Sequence, residues 1–140
     1  MTLVARLKVT LSDVEPQVLR RFDVPLKIRL SRLHEVIQAA MGWTDTHLYE
    51  FRAGGVGWGV PDPDGFYEGP LPASKTSLLD VMEDVGTKTI HYIYDFGDNW
   101  HHVIKVEKID ELDEFDETDK VEKIDGVDEV DEVSRRGRRG

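Results

Sequence analysis

Leu3, Ala5, Leu7, Val9 and Leu11 occupy alternate positions, with Arg6, Lys8 and Thr10 between them. Strict alternation of this kind predicts a strand with one face buried. Asp13-Val14-Glu15-Pro16 reads as a turn, and Val18, Arg20, Phe22 and Val24 then alternate with Leu19, Arg21 and Asp23 until Pro25. So short a connection predicts an antiparallel pair, because a parallel crossover needs a longer one. The period then changes. Leu30, Leu33, Ile37, Ala40 and Met41 recur at helical spacing, with Val36 widening the stripe. Ser31 is the expected N-cap and Gly42 the expected C′ residue. His47, Tyr49 and Phe51 return to alternation and predict a third strand.

Ala53-Gly54-Gly55-Val56-Gly57-Trp58-Gly59 lacks the GxGxxG spacing, and no helical pattern follows it. It reads as a glycine-rich hairpin rather than a phosphate-binding loop. Asp62-Pro63-Asp64-Gly65 is expected to turn, within a proline-rich surface loop over 61–75. Ser77 with Asp80 offers a capping box for a short helix near 77–83. Two more strands follow. Ile90, Tyr92, Tyr94 and Phe96 share a face, as do Trp100, His102, Ile104 and Val106. Both apolar rows reach one core only if paired residue numbers add to an even number. A three-residue loop, Gly97-Asp98-Asn99, meets that condition. It sets Tyr94 opposite His102 inside and Asp95 opposite His101 outside. The fold class is therefore α+β: an antiparallel, hairpin-rich sheet packed against one main helix, about 30–41, plus the short helix.

The end of the chain follows a different rule. Residues 106–120 (VEKIDELDEFDETDK) and 121–135 (VEKIDGVDEVDEVSR) agree at nine of fifteen positions, a tandem duplication. Apolar residues there recur every three, which fits neither a strand nor a helix face. Residues 106–133 carry 14 Asp/Glu and 3 Lys, and residues 134–140 carry four Arg. The domain is set at 1–110, and 111–140 is expected to be a disordered acidic tail ending in an Arg/Gly stretch.

Charge and composition narrow the function. The net charge is −10 over 140 residues. It is local: outside 106–140 there are 14 acidic and 11 basic residues. The folded part lacks the basic excess of a domain that grips phosphates, so nucleic acid is not expected there. Arg135–Gly140 is the one stretch that invites an anion or nucleic-acid contact. There is no cysteine, hence no disulfide or thiolate metal site. Neither a signal-peptide pattern nor an 18-residue apolar run is present. A cytoplasmic protein, without a membrane contact, is the expectation.

Several side chains carry candidate chemistry. Parity places His34, His47 and His102 on apolar faces. With Asp95 or Asp98 they would make a histidine/carboxylate set suited to zinc, manganese or iron. Separately satisfied core histidines are the other reading, and parity favours it by sending Asp95 and His102 to opposite faces. Asp95 and Asp98 bracket Gly97, either as an acid/base pair or as turn residues bonding their own backbone. Trp43, Trp58 and Trp100 belong to the core or, if they cluster at the surface, to a binding patch. No serine has a base or oxyanion-binding environment nearby in sequence.

The order of motifs then resembles one family. Glu15-Pro16, Leu19-Arg20-Arg21, Leu33-His34, Met41-Gly42-Trp43 and His47-Leu48-x-x-Phe51 precede Tyr92-x-Tyr94-Asp95-Phe96-Gly97-Asp98-Asn99-Trp100-x-His102. This order resembles the plasmid Ri Orf-three-like family of plasmids, mobile elements and prokaryotic chromosomes, over residues 3 to about 109. The resemblance implies an α+β domain with an antiparallel sheet and no established activity. Some members carry a putative-resolvase label. Members usually continue past the last strand with a Pro-Glu-Asp-Gly-Gly-type segment and further helices. Here the acidic duplication stands in that place, as in a C-terminally truncated copy. The resulting expectation is a non-catalytic binding or accessory module that works through protein partners or self-association and uses no cofactor. Its candidate binding residues are His34, Trp43, His47, Tyr94, Asp95, Asp98, Trp100 and His102. The alternatives are a metal-dependent hydrolase-type enzyme using the inward histidines, and a resolvase-like accessory of DNA transactions.

Overall fold

A computed structural model describes residues 2–61 and 69–112. The described elements are β1 (Thr2–Leu11), β2 (Val18–Pro25), α1 (Leu30–Met41), β3 (Tyr49–Ala53), β4 (Val56–Gly59), β5 (Leu71–Pro72), a 3₁₀ turn (Ala73–Lys75), α2 (Leu78–Val85), β6 (Thr89–Tyr94) and β7 (Trp100–Leu112). The class is α+β: seven strands and two helices, with strand order β2-β1-β7-β6-β3-β4-β5. The sheet is mixed rather than wholly antiparallel, because β5 runs parallel to β4. The proline-rich loop supplies that edge strand. The Asp62–Gly65 turn lies outside the described residues, as does the tail beyond 112.

Leu7 faces Phe22 across the predicted β1–β2 pair. Strand β7 continues to Leu112 and pairs with β1 as far as Thr2, so the ladder runs two residues past the expected boundary at 110. Inward residues of every strand except β5 join Leu30, Leu33, Val36 and Ile37 of α1 and Leu78 and Val81 of α2 in a single core.

Helix α1 starts without a side-chain cap. Its N-cap is Arg29, and Ser31 lies inside the first turn. The first helical amides lack intrahelical acceptors. Here the Leu30 N–H, the first of them, donates to the Thr76 carbonyl at 2.9 Å, so the chain leading into α2 supplies that acceptor. Gly42 ends α1 in the left-handed region, at φ 76, where a missing Cβ removes the steric cost. Ser77 and Asp80 form the expected capping box at α2, which extends to Val85. Gly54 and Gly55 form a two-residue turn with φ 57 and 82, the geometry that matches strand twist. A Cβ on Gly54 would lie 2.5 Å from Val85 Cγ1.

The β6–β7 hairpin corrects the predicted register. Tyr94 pairs with Trp100, Tyr92 with His102 and Ile93 with His101. The loop is five residues, Asp95–Asn99, rather than three. Asp95 turns out of the strand at φ 66 and Asn99 re-enters at φ 58. The Asp95 Oδ1 accepts from the Gly97 and Asp98 amides at 3.2 and 3.4 Å. This is an Asx-type turn, which competes with the ladder for the same backbone. Asp95 therefore does not oppose His101, and Phe96 leaves the core row to stand 49% exposed. The slip is two residues, so parity survives and Tyr94, Trp100 and His102 still share the inner face.

Candidate functional site

Two rows of side chains cross the inner face of the sheet beneath α1. One runs from His102 through Tyr92 and Phe51 to Trp58, and the next from Trp100 through Tyr94 to Tyr49. His34 and Gln38 lie four residues apart on α1, hence on one face, and both reach the Tyr92 hydroxyl. His34 Nδ1 lies 2.6 Å from it, and the Gln38 amide donates to it at 2.9 Å. The loop after α1 closes the circuit. Asp45, held at φ 57, sets Oδ1 2.6 Å from His34 Nε2, and its own N–H donates to Gln38 Oε1 at 2.7 Å. The His34 ring also stacks on Tyr49, with centroids 3.7 Å apart.

Only one arrangement of protons satisfies this circuit. The carboxylate accepts from His34 Nε2–H, so Nδ1 of a neutral ring accepts from the Tyr92 O–H, and the Tyr92 oxygen accepts from Gln38. A second proton on His34 would leave the Tyr92 hydroxyl hydrogen without an acceptor. Burial lowers the His34 pKa, opposed by the hydrogen bond to Asp45. Burial raises the Tyr92 pKa far above the usual phenol. Both groups are thereby held neutral.

The three candidate histidines do not converge. His34 and His102 lie against the same Tyr92 ring, at centroid distances of 5.8 and 5.1 Å. They use different atoms of it. His102 Nδ1 donates to the Tyr92 carbonyl at 3.2 Å, and its Nε2 is buried without a hydrogen-bond partner. Burial pushes the His102 pKa down to about 4. His47 precedes β3 and is 53% exposed at its side chain, with Nε2 3.6 Å from Asp95 Oδ2. Among the described residues, no group of three or more His, Cys, Asp or Glu side chains is placed to hold a metal ion. The shared face that parity predicts is correct for His34 and His102. The described residues form no shared metal centre: Tyr92 and Asp45 engage both ring nitrogens of His34, and His47 stands apart beside Asp95.

The remaining candidates form the rim. Trp43 packs against Tyr94 and Trp100, at 5.6 and 5.3 Å between centroids. Trp58 is separate and buried in β4. The Tyr94 oxygen accepts from the Thr46 amide at 2.8 Å, and the Leu48 carbonyl accepts from the Asp95 amide at 2.9 Å. These bonds tie the 44–48 loop to the hairpin tip. Between them runs a groove of about 510 Å³ lined by Asp45, Thr46, His47, Leu48, Asp95 and Phe96. Leu48 is 57% exposed on one wall. Asp98 takes no part in this groove and lies exposed in the tip.

A second groove, about 560 Å³, opens on the other side of Phe96. Asp13, Glu50, Arg52, Ile93, Asn99 and His101 line it on the outer face of the sheet. There His101 Nε2 meets His91 Nδ1 at 2.9 Å, with ring planes 19° apart. Neither His91 nor His101 was a sequence candidate. A five-residue loop makes them diagonal neighbours across β6 and β7, and the three-residue loop hid that.

The family model described as Plasmid pRiA4b ORF-3-like protein matches residues 3–129. The chain belongs to this family. One curated relative, the uncharacterized protein y4hQ of Sinorhizobium fredii (strain NBRC 101917 / NGR234), is 60% identical over 104 residues. The match covers 74% of this chain and 53% of that protein, so the chain spans about half the length of the relative. Among solved structures, a protein of unknown function from Methanosarcina mazei Go1, MM3350, superimposes with a TM-score of 0.71 at 33% identity. That likeness covers 83% of this chain and 66% of the other. These relatives are themselves uncharacterised, and the matches bring no catalytic assignment with them. No helix among the described residues is long and apolar enough to cross a membrane.

Proposed function

We propose that this member of the pRiA4b ORF-3-like family is a non-catalytic, cytoplasmic binding module that docks a peptide segment of a protein partner at the hairpin tip. One observation carries the reading: Leu48 and Phe96 line the same groove, 57% and 49% exposed. Exposed apolar side chains that flank a concave surface mark interaction sites. The groove also presents Asp45 and Asp95. The partner segment that fits is an apolar anchor flanked by lysine or arginine. The buried circuit of His34, Tyr92, Gln38 and Asp45 serves as the mount that fixes one wall, and the Asx turn at Asp95 fixes the other.

Selection of a displayed random-peptide library on the full chain tests this. Enriched peptides should combine an apolar residue with nearby Lys or Arg. They should bind the wild type and fail on Phe96→Asp, while Lys105→Glu, an exposed position on β7 outside the groove, leaves them bound. Peptides that bind Phe96→Asp equally well would refute the docking site. Tight binding of duplex DNA at physiological salt would refute the choice of a protein partner.

A further inference from the structure

The His91–His101 contact on the outer face has no part in the docking groove or the buried circuit, and its geometry suggests a use. We propose that His91 and His101 are the two protein ligands of an open site for a divalent transition metal of the copper(II) type, completed by water.

The backbone fixes the pair. Strands β6 and β7 hold Ile93 opposite His101 and His91 opposite Val103, so the two histidines are diagonal neighbours on one face. Their facing nitrogens, His91 Nδ1 and His101 Nε2, stand 2.9 Å apart. Two imidazole nitrogens each about 2.0–2.1 Å from one ion are about 2.9 Å apart at a right angle and about 3.3–3.4 Å apart at the tetrahedral angle. The observed 2.9 Å is a hydrogen bond between the rings, which shows that the two side chains reach one point; copper(II) is the divalent ion that a given pair of imidazole ligands holds most tightly. Binding requires each ring to turn so that both lone pairs meet at one point. The proton of that hydrogen bond leaves the binding nitrogen, moving to the outer nitrogen of its ring or, where that nitrogen already carries one, to water.

The surroundings suit a cation. His101 lines the outer groove together with the carboxylates of Asp13 and Glu50. Glu50 is paired with Arg52 at 3.2 Å, while the Asp13 charge acts on His101. Burial, and then the charge of His91, lower the His101 pKa, so this ring is a neutral ligand at neutral pH. Both histidines are half-buried on the solvent side of the sheet, which leaves the site open to water and exchange.

Copper(II) titration of the untagged full chain, read by electron paramagnetic resonance and calorimetry, decides the matter. One equivalent should bind with the superhyperfine pattern of two imidazole nitrogens. His91→Gln and His101→Gln keep a polar side chain across the strands and remove one imidazole each. Either should weaken that equivalent roughly tenfold or more and change its spectrum to one nitrogen. His47→Gln should leave the signal unchanged. Thermal melts of the metal-free variants confirm that each is folded. The proposal is overturned if wild type gives no two-nitrogen species, or if the double Gln variant gives the same one.

Discussion

Strands β6 and β7 present two chemically different surfaces from one ladder. On the inner face, Tyr92 is fully buried, and its hydroxyl is bonded to both His34 and Gln38. On the outer face and at the tip, His91 and His101 meet each other, and Phe96 stands half in solvent. The inner residues have little freedom, because moving one strands its partners in a medium without water. The outer residues have fewer partners and water within reach, so they are available to something else. The difference separates what makes the surface from what uses it. That separation predicts that inner substitutions cost stability, whereas outer ones cost binding.

The largest expected effect is on Tyr92. Tyr92→Phe removes the acceptor of Gln38 and the donor of His34 at once and leaves two buried polar groups unpaired. At about 1–3 kcal/mol per stranded group, urea denaturation should show a loss of about 3 kcal/mol. His34→Ala in that background should cost less than in wild type, because the two act as one unit. Additive losses would mean that the circuit is a set of independent contacts.

Acid is the next lever, and the sign follows from burial. An unfolded His102 takes up a proton near pH 6.5, whereas the folded one waits until about pH 4. Its contribution is thus fully present above 6.5 and is lost as pH falls from 6.5 towards 4. Between pH 7 and 5, above most carboxylate titrations, the loss should be about 2 kcal/mol. His34 is lowered as well and acts in the same direction. Denaturation curves of His102→Leu at the same two pH values should show a markedly smaller difference. An unchanged difference would place the acid sensitivity elsewhere.

Much of this inner surface was legible in the sequence, for a physical reason. Alternation along β1, β6 and β7 is dictated by burial on one face, so parity put Tyr94, Trp100 and His102 inside even though the loop length was wrong. What sequence missed depends on hydrogen bonds that compete with regular structure. Asp95 caps its own turn, so the hairpin register moved by two residues. That shift released Phe96 from the core and set His91 beside His101. Helix α1 has its N-cap two residues before the expected one, so Ser31 falls inside its first turn and the Leu30 amide bonds the Thr76 carbonyl instead. Asp45, the residue that settles the proton of His34, lies in a loop with no periodicity at all, and no spacing rule pointed to it. The parallel strand β5 emerged from a proline-rich segment, where Pro signals an edge or a loop but not which.

Asp45 tests the boundary between the two surfaces. Its carboxylate is about half exposed, yet it bonds a buried ring. Asp45→Ala should cost about 1 kcal/mol, near the typical net value of one hydrogen bond, because water can reach the exposed end. Asp45→Asn keeps an acceptor for His34 Nε2–H and should cost less. The same substitution removes a charge from the docking groove, so peptides selected on wild type should bind it more weakly even where stability is nearly unchanged.

Phe96 carries the comparison to its limit. Its ring leaves the inner row only because Asp95 turns the chain early, and about half of it remains in water. A surface substitution away from caps, cores and networks usually changes stability by no more than about 0.5 kcal/mol. Phe96→Ser should therefore melt within that margin of wild type while losing the selected peptides. If Phe96→Ser instead destabilised the fold as Tyr92→Phe does, the ring would belong to the core, and the tip would be structure rather than surface. A normal melt with binding intact would leave Phe96 exposed but remove it from the docking site. A normal melt with binding lost assigns the inner face to holding the hairpin and the tip to recognition.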